Sequence, residues 1–134
     1  MNNQANRPVN PPDLAKPVGF SHAVVASGTT VFLAGQTALD ADGRIVGDGV
    51  VAQFDRALRN LLRALAEAGG RPEHLTSLTV YAVDLADYRV HAAQLGGVWR
   101  ELLGRHYPAM AAIGVSRLWD AEALVEIQGF AVLP

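Results

Sequence analysis

The 134-residue chain contains no cysteine. That absence excludes disulfides, thiolate metal ligands and a cysteine nucleophile, and it suits a reducing cytoplasm. Charge is scarce too, at 18% of residues against roughly 25% in an average soluble domain. The net charge is −2, so no basic stripe offers a footprint for nucleic acid, and no nucleic-acid partner is expected. No apolar run approaches the roughly 20 residues that a bilayer-crossing helix needs, so no membrane partner is expected. Residues 1–7 hold no hydrophobic signal core, which points to a non-secreted, cytoplasmic protein. His74, His91 and His106 have no ligand-like spacing with each other or with carboxylates, so no metal site is expected. Glycine-rich phosphate loops and Ser/His/Asp arrangements are missing, and no cofactor is expected.

What is present is hydrophobicity: 50% of the residues are apolar, yet only 7% are aromatic. One small domain of this kind either packs Ala and Gly tightly or buries surface against further copies of itself. Residues 1–18 are rich in Asn and Pro and read as a flexible or extended arm, leaving 19–134 as a single domain. Residues 22–26 and 30–34, separated by Ser27-Gly28-Thr29, read as a β-hairpin. Asp40-Ala41-Asp42-Gly43-Arg44 is a second turn signal. The strongest helix is 50–68, where Val50, Phe54, Ala57, Leu58, Leu61, Leu62 and Leu65 recur at helical spacing. Asp48 is its expected N-cap and Gly69-Gly70 its stop. Residues 78–83 form a strand. A second helix is expected over 88–103, although Gly96 and Gly97 each cost it roughly 1 kcal/mol against Ala. Strands over 110–117 and 123–133 close the chain.

This order predicts an α+β fold, a mixed sheet with two helices packed on one face. In the final strand Val125, Ile127, Ala131 and Leu133 share one face. Leu124, Glu126, Gln128, Phe130 and Val132 share the other. The first set can meet the helices. The second is too apolar for water, and no third layer remains in the chain, so a partner subunit is expected there.

Four stretches carry a family resemblance. They are Gly19-Phe20-Ser21-His22, the strand Val31-Phe32-Leu33-Ala34-Gly35-Gln36, the helix from Gln53 through Asn60 to Ala68-Gly69, and Pro108-Ala109 followed by Glu126. In this order they resemble the Rid family of reactive intermediate deaminases (YjgF-type, also termed L-PSP endoribonuclease-like). The resemblance implies a homotrimer with a central β-barrel of sheets, helices outside, and a small-molecule cleft at each subunit interface. In the deaminating branch the residue after Pro-Ala is an arginine that grips the substrate carboxylate; here it is Met110. The family's tyrosine is Phe20 and its serine is Ala34, while Gly35, Gln36 and Glu126 remain. The chain is therefore similar to the subgroup that lacks the deaminase arginine.

The resemblance makes Glu126 the catalytic candidate, since a glutamate in this place positions water for attack on an imine. Its residue chemistry agrees. A carboxyl inside a strand is costly to bury unless hydrogen-bonded or protonated, and a partly dry one suits proton shuttling. The alternative is a structural glutamate that accepts hydrogen bonds. Met110 offers a soft apolar wall where a guanidinium fork would hold a carboxylate. Arg105 and His106 are candidate replacement cations, whereas Arg117 should point away. His22 is either a base or a strand-end cap. Tyr107 and Trp119 form either an aromatic wall of the cleft or core packing. Three functions follow: hydrolysis of an enamine or imine, non-catalytic binding or sensing of a small molecule, and a role on RNA suggested only by the ribonuclease label. The acidic balance disfavours the last.

Overall fold

A computed structural model describes residues 6–134. The strands are β1 (Asn6–Val9), β2 (Ala23–Ala26), β3 (Thr29–Gln36), β4 (Leu75–Ala82), β5 (Ala109–Gly114) and β6 (Val125–Leu133). The helices are α1 (Val50–Glu67), α2 (Leu85–Val90) and α3 (Ala92–Leu103), with a single 3-10 turn at Pro72–His74. β3, β6, β4 and β5 form one sheet in that order, antiparallel except for the parallel pair β4–β5. The fold is thus the expected α+β type. The sheet of one chain is open, so the barrel is not a property of the single chain.

The core lies between the helices and one sheet face. α1 turns Val50, Phe54, Ala57, Leu58, Leu61 and Leu65 inward, onto Leu33, Leu78, Val80 and Ile127. Two polar residues of α1 are structural. The buried Gln53 donates to Gly47 O and Glu122 O, and accepts from Leu124 N at 2.8 Å. Asn60 donates to Thr37 O and Leu39 O at 3.1 and 2.9 Å. They fasten the β3–α1 and β5–β6 connections, which accounts for a polar residue in an apolar stripe.

The alternation of β6 is as expected: Val125, Ile127 and Ala131 are buried, while Gln128 and Phe130 are exposed. Phe32 on β3 is 77% exposed and Phe130 40%. They meet edge to face at 5.5 Å on this open side.

Several local expectations need correction. β2 and β3 are not a hairpin; β2 pairs with β1, and β3 pairs with β6. Within the arm, Asn6–Val9 is extended as β1, and residues 1–5 lie outside the described residues. Asp48 does not cap α1. The N-cap is Gly49, at φ 90°, with no side-chain cap. The second helix breaks at His91 into α2 and α3, the first of which is capped by the Asp84 carboxylate. The last two strands are shorter than expected, ending at Gly114 and starting at Val125.

Candidate functional site

Strand register decides which candidate residues meet. Glu126 stands opposite Tyr81 of β4. Tyr81 is set between the buried Val80 and Ala82, so this pair lies on the open face. On the other side of Glu126, β3 carries a bulge between Leu33 and Gln36. Gly35 sits in it, and a Cβ there would lie 2.5 Å from Glu126 Oε1 and 3.0 Å from Cδ. The glutamate side chain therefore lies across the bare Gly35 backbone. Bulges of this kind re-aim side chains beside active sites. Glu126 is half-buried, and its carboxylate has no hydrogen bond or ion pair among the described residues. Ala34, in the same bulge, is exposed. Gln36 pairs with the inward-facing Ile127 and lines a shallow groove with Asn60 and Arg56, away from Glu126.

Met110 stands beside Leu78 in the parallel β4–β5 register. Leu78 is buried under the helices, so Met110 faces the helix side. It is a wall of a pocket of about 360 Å³ with Phe54, Tyr88, Leu95, Trp99 and Tyr107. Phe20 closes an adjoining cavity that shares Met110 and Tyr88. Ser21 holds this loop in place: its amide donates to Pro108 O at 3.0 Å and its hydroxyl to Tyr107 O at 2.6 Å. Tyr107 stacks on Trp99, the planes 9° apart at 6.3 Å. Burial pushes the Tyr88 phenol above its ordinary value of 10.0, so it stays neutral.

The remaining candidates line neither the Met110 pocket nor the Glu126 face, apart from Tyr107. His22 is half-buried, with Nε2 donating to Ala15 O at 2.7 Å and its ring edge-on to Phe20 at 5.2 Å; it fastens the loop. Arg105 is exposed and lines a different cavity with His106, Phe20 and Tyr107. Arg117 donates to Leu118 O and Trp119 O in its own connection. Trp119 is 93% exposed, so only Tyr107 of the expected aromatic pair is a wall. The sequence reading missed Arg100, which reaches the Met110 pocket from α3, and Tyr81 beside Glu126. Among the described residues no group of three or more metal-ligating side chains occurs. No helix among them is long and apolar enough to cross a membrane.

A family model described as endoribonuclease L-PSP matches residues 13–133. The chain belongs to the Rid, or L-PSP, family. A Rid family protein of Yersinia pestis, YyfB, described as of unknown function, shares 34% identity at a TM-score of 0.88. That match covers 96% of this chain and 99% of the other. A RutC family protein of Pyrococcus abyssi is 33% identical over 87% of this chain and 88% of its own. Some members are named for an activity. A goat protein named 2-iminobutanoate/2-iminopropanoate deaminase is 31% identical over 84% of this chain and 79% of its own. The Rid fold here carries two separate clusters on one chain, Glu126 with Gly35 on the open face and Met110 with Phe20 beneath the helices.

Proposed function

We propose that this Rid protein hydrolyses a small enamine or imine metabolite, releasing ammonia, in a cleft shared by two copies of a homotrimer. Its substrate would differ from that of arginine-bearing members. The observation that carries this reading is Glu126: a half-buried carboxylate with no partner among the described residues, lying over the bare Gly35 backbone. Such a group has free lone pairs to hold and orient a water molecule. In the proposed reaction Glu126 takes a proton from water as the oxygen attacks the C=N carbon. That proton passes to the nitrogen, giving a carbinolamine; the new hydroxyl then yields its proton, by way of Glu126, to the nitrogen as the C–N bond breaks and C=O forms, so that a carbonyl and ammonia leave.

The oligomer is supported by the placement of Met110 and Glu126, read as two half-sites of one cleft. Met110 and Glu126 are separated by two strand spacings and about three residues along the strands, roughly 14 Å, on opposite faces. One chain cannot bring them to one ligand, whereas neighbouring copies can. The exposed Phe32 and Phe130 supply an apolar face for the contact.

Glu126→Gln should lower ammonia release from an enamine and imine panel by about 10²–10⁴-fold, as loss of a general base does, with the fold retained. Wild-type protein inert on the whole panel would favour the binding or sensing reading, for which the apolar Met110 wall speaks. Undiminished release by Glu126→Gln would refute the role of Glu126.

A further inference from the structure

The helix α3 contains Gly96 and Gly97 in its second turn, where glycine is a poor helix former. Gly96 lines the Met110 pocket. An added Cβ there would come 3.3 Å from a guanidinium nitrogen of Arg100, one turn on. The missing side chain therefore leaves both pocket space and room for that guanidinium. Arg100 makes no ion pair among the described residues, in contrast to Arg59, which bridges Asp55 and Glu101. It is the one cation lining this pocket. The rest of the lining is aromatic and aliphatic, with the Tyr88 and Tyr107 hydroxyls, neither of which has a hydrogen-bond partner among the described residues.

We propose that Arg100 is the carboxylate-binding residue of this pocket, and that the ligand is a small acid with a flat, bulky apolar body, such as an aryl-substituted 2-imino acid. This rests on the reading above that the Met110 pocket is the substrate half of the cleft. The apolar body lies among Trp99, Tyr107, Tyr88 and Met110. The carboxylate stays at the rim, where the planar guanidinium can take it with two parallel hydrogen bonds. Moving the cation from the Met110 position to α3 frees the depth of the pocket for the body of the ligand. The volume of about 360 Å³ lies within the range of small-molecule sites, about 300–1,000 Å³. A two- or three-carbon side chain would leave most of it unfilled.

The test uses full-length protein and two non-reacting probes, 3-phenylpropanoate and its uncharged amide, titrated by calorimetry. The acid should bind about tenfold more tightly than the amide, the advantage of one charge-assisted contact at a partly exposed rim. Arg100→Gln should erase that difference, chiefly by weakening binding of the acid. Gly96→Leu, which suits a helix and fills the pocket, should abolish binding of both. Equal affinity for acid and amide, no binding of either, or a difference that survives Arg100→Gln would overturn the proposal. So would a difference erased by Arg105→Gln instead. Repeating the titrations in Glu126→Gln separates this assignment from the hydrolase reading: binding that keeps the acid preference sustains Arg100 whatever becomes of ammonia release.

Discussion

Gly35→Ala probes the one close approach at the candidate catalytic carboxylate. The new Cβ would lie 2.5 Å from Glu126 Oε1, and ordinary contact begins near 3.4 Å. The carboxylate must therefore retreat by about 0.9 Å. Gly35 is not among the positive-φ glycines, so alanine meets no backbone penalty and the cost lies in the contact. Overpacking costs about 1–3 kcal/mol. The atoms that must move are the end of a half-buried, flexible side chain, which places the cost near 1 kcal/mol. For a chain of this length that is a fall of about 3–4 °C in Tm. A displacement of about 1 Å at a reacting group can cost about 10²-fold in rate, so kcat for ammonia release should fall by that order with KM little changed. The decisive comparison is a double-mutant cycle with Glu126→Ala, which removes every clashing atom within that contact. In that background Gly35→Ala should cost almost nothing, leaving a coupling of about 1 kcal/mol. An equal fall in Tm in both backgrounds would show that Gly35 is not held bare by Glu126.

Two further outcomes test the assembly and the pocket. Phe32→Asp places a charge on the exposed Phe32–Phe130 pair and should convert a three-chain species into monomers by light scattering. A monomeric wild-type protein would refute the trimer. Tyr88 has its folded-state pKa raised by burial. The folded form then holds its proton at a pH where the unfolded form has lost it, so stability should fall as pH rises beyond about 10. Thermal midpoints between pH 8 and 11 should fall less steeply in Tyr88→Phe, and parallel curves would contradict the burial of this phenol.

Helix α1 was legible because its apolar positions repeat over several turns, and β6 because its alternation is strict. The β2–β3 hairpin failed for a reason of locality. Two short strands joined by a glycine turn look self-sufficient, but β2 takes its partner from the arm and β3 takes β6, about a hundred residues on. Glu126 could be singled out as a lone carboxylate in an apolar strand, and Met110 through its motif. Their placement on opposite faces could not, since it rests on the parallel β4–β5 register. Arg100 was hidden for a similar reason: which face it shares depends on where α3 begins, and the break at His91 resets that phase. Of the two glycines that weaken the helix, Gly96 lines the pocket beside it, whereas Gly97 faces open space.

The edges of the sheet suggest how the half-sites would join in the proposed trimer. β5 is one edge, and past the bridge from Ser21 to Ala109 it is unpaired, with residues 111–114 exposed. β3 is the other edge and carries the Gly35 bulge. An exposed edge invites pairing with another chain. If the β5 edge of one copy lies against the β3 edge of the next, the contact is head-to-tail, and only a rotation that closes gives a finite ring. The same contact carries Met110 of one copy toward Gly35 and Glu126 of its neighbour. Closing the edges and completing the site are then one event, so a variant that keeps the monomer folded but open, such as Phe32→Asp, should lose ammonia release together with assembly.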